Sequence, residues 1–169
     1  MSFDVLQEKI IEKKNPTVAG LDPKPEQIPP HILQAAYHEF GENLMGAAEA
    51  VWQFNRGLID ALCDVVPAVK PQAAYYERLG WSGLAIMDKT IRYAREKGLF
   101  VIADIKRGDI GSTAQAYADA WLGETQVGAA PAGPSTPTAS PSTATWARTP
   151  WPPSWTPARS TISASSSWP

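Results

Sequence analysis

The sequence predicts an α/β fold built on a parallel sheet, and three observations carry that expectation. Short apolar runs alternate with helical stretches along residues 1–128, and the crossovers between them are too long for hairpins. Each of the three runs ends in a charged residue, as at the C-terminal edge of a parallel sheet where sites are built. The clearest run, Leu99 to Lys106, is almost continuously apolar up to Ala103, the pattern of a strand covered on both faces.

Taken in order, Ser2 is placed to cap a first helix whose Phe3, Leu6, Ile10 and Ile11 share one side, and Asn15-Pro16 stops it. Thr17 to Asp22 reads as a buried strand delivering Asp22 at its end, followed by a loop over 23–30 with four prolines. From His31 to Asp64 the pattern is helical, with Leu44, Val51, Leu58 and Leu62 near heptad spacing. Val65 to Lys70 is a second strand candidate. A helical stretch over 73–97 closes at Gly98, a natural C-cap. After the third strand, Gly108 and Gly111 make a loop and Ser112 is placed to cap a helix over 113–122. A parallel barrel and a doubly wound sheet would each bring Asp22, Lys70, Asp104 and Lys106 to one edge, and periodicity does not choose between them.

The 169-residue length fits one domain. A formal net charge of −2 argues against a nucleic-acid binder. The single cysteine, Cys63, forms no internal disulfide and is expected to be a packed helix residue in a reducing compartment. No apolar run approaches the ~18–20 residues that span a bilayer. The N-terminus carries Asp4, Glu8 and Glu12 without an apolar signal core, so the chain is expected to be cytoplasmic, with no membrane partner. His31 and His38, seven apart, have no third ligand in view, and no metal is expected. Trp52, Trp81 and Trp121 are expected in the core or an interface.

Composition breaks near Gly128. Residues 129–169 draw 37 of 41 positions from Pro, Ser, Thr, Ala and Trp, and all 17 acidic side chains lie before them. Such a segment has too few aliphatic side chains for a core of its own. Two units are therefore expected: 1–128 as the α/β unit and 129–169 as a low-complexity, disordered tail.

The chemistry concentrates in one stretch. Asp104 and Lys106 stand two apart on a strand, which points both to one side, and Asp109 and Thr113 follow just beyond it. A bare D-x-K is more often a plain ion pair, but the context is longer. Val101-Ile102-Ala103-Asp104-Ile105-Lys106-Arg107-Gly108-Asp109-Ile110-Gly111-Ser112-Thr113 closely resembles the signature of the orotidine 5'-phosphate decarboxylase family. Ala19-Gly20-Leu21-Asp22-Pro23 resembles that family's first strand, and Lys70-Pro71-Gln72 with Tyr76-Glu77 and Gly80 its second strand and following helix, in the pattern of the longer bacterial subgroup.

The resemblance covers about residues 1–128 and implies the N-terminal part of a (β/α)8 TIM barrel, working as a homodimer without metal or organic cofactor. The reaction it implies is decarboxylation of orotidine 5'-phosphate to uridine 5'-phosphate in pyrimidine biosynthesis. Lys106 would be the cation and general acid beside C6, Asp104 would sit near the departing carboxylate, and Lys70 and Asp109 would complete an alternating array. Asp109 would enter from the partner subunit, while Asp22 and Thr113 would contact the ribose side.

After Gly128 the resemblance stops, so the pyrimidine and phosphate contacts expected from later strands are missing and the chain as it stands is expected to be inactive. Three strands cannot close an eight-stranded barrel, so the third is expected to present an exposed apolar edge. The tail reads as a shifted reading frame. Combining the third base of each codon with the first two of the next, Trp146-Ala147 forces glycine, Trp151-Pro152 alanine and Trp155-Thr156 aspartate. With G/C-leaning choices elsewhere, the string has strand and helix patterns resembling the same family's continuation. The alternatives are a related metal-dependent phosphosugar decarboxylase or synthase barrel, and a non-enzymatic protein binding partners through its Pro-rich tail.

Overall fold

The computed structural model describes residues 3–121, 123 and 125–132, so the expectations for Ser2 and for most of the tail lie outside the described residues. Helix α1 (Phe3–Lys13) leads to strand β1 (Val18–Leu21) and a 3-10 turn (Pro25–Gln27). Helices α2 (Pro30–Phe40) and α3 (Leu44–Leu62) precede β2 (Ala68–Pro71), and α4 (Ala73–Glu77) and α5 (Gly80–Glu96) precede β3 (Phe100–Val101). Helix α6 (Gly111–Trp121) and a hairpin of β4 (Thr125–Val127) and β5 (Ala130–Ala132) follow.

Strands β1, β2 and β3 pair in parallel in that order, with Gly20 opposite Lys70 and Val69 opposite Val101. The order follows the chain, which excludes a sheet that turns back after its first strand but fits either a barrel or half of a doubly wound sheet. The third strand is shorter than the run 99–106 suggests. The register puts Lys70 opposite Ile102, and the bond needed there would come from the N–H that Pro71 lacks. Pairing resumes one step on, where Asp104 N donates to Pro71 O (2.9 Å) and Ala73 N to Asp104 O (3.0 Å). β3 is the last strand of this sheet, at its edge as expected, but the side chains of Leu99, Phe100 and Val101 are all buried.

Four further sequence expectations are corrected, one being the helical stretch over 73–97, which breaks at 78–79 into α4 and α5. The helix over 31–64 is two helices. The chain turns at Gly41, and Asn43 caps α3 by accepting from Met45 N (2.8 Å) and Gly46 N (3.1 Å). A Cβ on Gly46 would stand 2.1 Å from the Gly41 carbonyl oxygen, so this tight return requires glycine. Leu44, now the first residue of a helix, is exposed, while Val51 is fully buried and Leu58 and Leu62 half-buried. The second strand starts later than expected, because the N–H groups of Val65 and Val66 bond back to Leu62 O and extend the end of α3. Ile11 points to solvent rather than into the core.

Other expectations hold. Helix α1 ends at Lys13, and Asn15 Oδ1 accepts from Thr17 N (2.9 Å) to start the turn toward β1. Gly98 follows α5 with φ of +80° and donates to Arg95 O. The core lies between the sheet and the α3–α5 pair, where Val51, Ile59, Met87, Ile91 and Ala94 are almost wholly buried. Among the described residues no helix is long and apolar enough to cross a membrane.

The hairpin β4–β5 turns at Gly128 and so crosses the position where composition changes. Trp52 is in the core, with Tyr93 edge-on at 5.5 Å, whereas Trp81 is exposed.

Candidate active site

The parallel register brings three strand ends to one edge. Leu21, buried at the end of β1, is tied down through its carbonyl, which accepts from the Tyr76 hydroxyl (3.2 Å). Tyr76 lies on α4 and is wholly buried, and Asn55 Nδ2 on α3 donates to its oxygen (2.9 Å) and reaches Thr90 Oγ1 on α5 (3.5 Å). Burial pushes the Tyr76 phenol well above its ordinary pKa, which keeps it a neutral donor. The backbone that presents Asp22 is therefore held from below by three helices.

Lys70 stands at the end of β2. Its Nζ lies 3.7 Å from Asp22 Oδ1 and 3.5 Å from Asp104 Oδ2. Lys106 Nζ pairs with the same Asp104 oxygen. The four groups thus alternate in sign as Asp22, Lys70, Asp104 and Lys106, and each charge has an opposite neighbour. Asp104 is the most enclosed of them, with 14% of its side chain exposed against 48% for Lys106.

The sequence brought Asp104 and Lys106 together by strand alternation, and the structure does so differently. Lys106 lies beyond the strand with φ of +50°. A non-glycine residue in that left-handed region costs on the order of 1–2 kcal/mol. Such conformations gather at functional sites.

The other expected residues stand apart. Asp109 is exposed, and its Oδ1 accepts from Ile110 N (2.8 Å) in its own turn. Within one chain Asp22, not Asp109, completes the alternation. Thr113 is exposed in the first turn of α6. His31 and His38 are both exposed on α2, and among the described residues no group of three or more His, Cys, Asp or Glu could hold a metal ion. Cys63 caps α3, half-buried, its thiol directed at Asp60 O (3.5 Å).

Sequence reasoning missed two parts of this edge. The Asn55–Tyr76–Thr90 cluster has no local signature, since its members come from three helices. Arg107 Nη2 pairs with Glu77 Oε1 across 30 residues of chain, joining the end of α4 to the loop after β3, and Glu77 raises the guanidinium's already high pKa.

The model of the orotidine 5'-phosphate decarboxylase / HUMPS family matches residues 31–134. An orotidine 5'-phosphate decarboxylase of Rhodopirellula baltica is 41% identical over 136 residues, covering 80% of this chain and 44% of that protein. One from Corynebacterium glutamicum is 51% identical over 80 residues, 47% of this chain and 27% of the relative. The solved OMP decarboxylase of Leishmania donovani superposes with a TM-score of 0.51 at 30% identity, covering 70% of this chain and 38% of that one. The solved relatives are TIM barrels, so the β1–β2–β3 sheet is the first part of a barrel rather than half of a doubly wound sheet. The chain spans less than half the length of these relatives.

Proposed function

The chain belongs to the orotidine 5'-phosphate decarboxylase / HUMPS family, and on that premise we propose that the whole protein converts orotidine 5'-phosphate to uridine 5'-phosphate in pyrimidine biosynthesis. The observation that carries the proposal is the alternating Asp22–Lys70–Asp104–Lys106 array at the C-terminal edge of the sheet. The curated relatives named above are orotidine 5'-phosphate decarboxylases, which favours this reading over the phosphosugar alternative.

The reaction breaks the bond between C6 and the carboxylate carbon, and the electron pair stays on C6. CO2 leaves, and C6 must take a proton. Lys106 serves both needs, its ammonium facing the growing negative charge and then giving a proton to C6. Asp104 lies beside the substrate carboxylate, a contact between anions that is relieved as CO2 departs. Lys70 holds Asp104 and Asp22 in place, and Asp22 and Thr113 face the ribose. Asp109 acts across a homodimer, reaching the partner's site. The protein works in the cytoplasm without metal or organic cofactor.

Residues 1–128 form one barrel-derived unit, and the segment from 129 belongs to a shifted reading frame. The family match ends at residue 134, close to the break in composition, which supports that reading. The nucleotide sequence across codons 120–140 shows whether a one-base change opens the longer frame. In the protein continued in that frame, Lys106→Ala abolishes decarboxylation while nucleotide binding survives, because ground-state affinity comes chiefly from phosphate and ribose contacts. Mixing Lys106→Ala with Asp109→Ala subunits restores part of the activity if sites are shared. Near-normal turnover by Lys106→Ala would overturn the mechanism, and a mixture with no gain would remove only the shared site.

A further inference from the structure

Arg107 follows Lys106 directly, and none of the roles above uses it. Its guanidinium divides between its own loop and the end of α4. Nη2 meets Glu77 Oε1 at the end of α4, and Nη1 donates to the Ile105 carbonyl (3.2 Å), two residues back across Lys106. The Tyr117 ring on α6 lies 5.9 Å from the guanidinium carbon. The segment Ile105–Lys106–Arg107 is thus closed on itself by the Arg107 side chain and tethered to the end of α4. Lys106, at the centre of that closed segment, is one of two non-glycine residues with positive φ among the described residues, the other being Lys14 at the end of α1.

We propose that Arg107 and Glu77 are positioning residues that hold the Lys106 backbone in its left-handed conformation and so keep its ammonium on Asp104. An extended Lys106 would swing its side chain away from Asp104 and carry the Ile105 carbonyl off Nη1. The clamp needs two nitrogens at fixed separation, which a guanidinium supplies and an ammonium does not. Its importance for the reaction rests on the reading of Lys106 as the reacting ammonium. The backbone geometry does not, so the two can fail separately.

The test is NMR on the full chain with Arg107→Ala, Arg107→Lys and Glu77→Gln, each checked for folding by amide dispersion. A left-handed residue shows a strong intraresidue amide–Hα NOE, and Lys106 shows it in the unsubstituted chain. Arg107→Ala and Arg107→Lys both lose it, and reductive methylation of Lys106 speeds up relative to Lys13 as the ammonium leaves Asp104. A cross-link that merely stabilised the two segments would leave the Lys106 signature in place in every variant that folds. Retention of the NOE and of the methylation rate in Arg107→Ala overturns the proposal. Full retention in Arg107→Lys overturns the two-nitrogen clamp. If Arg107→Ala does not fold, Glu77→Gln decides: loss of the signature supports the proposal, and an unchanged Lys106 overturns it.

Discussion

Helices α5 and α6 occupy the same place in successive strand–helix units, after β2 and β3, yet they are buried very differently. α5 buries Ser82, Gly83, Ile86, Met87, Thr90, Ile91 and Ala94, whereas α6 buries Ala114 and Ala118. The α6 sequence is not the cause. Ala114, Tyr117, Ala118 and Trp121 stand at helical spacing on one face, but Tyr117 and Trp121 stay half-exposed. The difference lies in the neighbours. α5 packs on α3 and beside both β2 and β3, while β4, after α6, is fully exposed and pairs with β5 instead of joining the parallel sheet. An apolar stripe becomes core only where a second surface meets it. The charged array sits at the junction, with Asp22 and Lys70 carried by the well-packed part and Lys106 by the loop that leads into α6.

Hydrogen exchange should separate the two helices most strongly. Amides of 86–94 in α5 should exchange orders of magnitude more slowly than those of 114–120 in α6, since only the former open with the whole core. Equal protection would show that α6 is held as firmly as α5. Substitutions in the two helices should differ in the same sense. Met87→Ala empties a nearly fully buried site and should cost about 2–5 kcal/mol in chemical denaturation. Ala118→Gly should cost about 1 kcal/mol, close to the intrinsic helix difference alone.

The polar cluster below the array comes next. Asn55→Ala leaves the Tyr76 hydroxyl without a buried donor and should cost about 1–3 kcal/mol. An unchanged denaturation midpoint would show that the cluster does not brace β1.

The smallest effect belongs to the exposed pair at the far end of α3 and α5. Lys97 Nζ lies 2.6 Å from Asp60 Oδ1, which also accepts from the Tyr93 hydroxyl (2.7 Å). The bonds to Lys97 and then to Tyr93 hold the Asp60 carboxyl below its ordinary pKa, and the bond to Asp60 raises that of Lys97. A depressed carboxylate contributes its stability above its unfolded value of about 4 and loses it as pH falls through the folded value. Asp60→Asn should therefore lower the melting temperature slightly near pH 7, and the gap should close in acid. A gap that widened on acidification would reverse the assignment.

How much of this was legible in the sequence depends on the distance over which each feature is set. Periodicity and turn residues act over a few positions, so the three strands, the Gly98 cap and the stop at Asn15-Pro16 were all readable. So was the D-x-K motif, because its members sit within one short segment. The breaks at 41–43 and 78–79 were hidden by the apolar spacing that runs through both, although local residues mark them: Gly41 and the Asn43 cap at the first, and Gly80 with φ of +65° just after the second.

The sequence by itself determined the parallel α/β class, the family and the identity of the charged residues at the strand ends. Only the tertiary structure decided how those charges order themselves. Strand register set Lys70 between Asp22 and Asp104, and a left-handed residue, rather than strand alternation, returned Lys106 to Asp104. Asn55 meets Tyr76 across 21 residues and Arg107 meets Glu77 across 30. Such pairs are fixed by how helices and loops pack, and no local pattern encodes them because each partner is ordinary in its own stretch of chain.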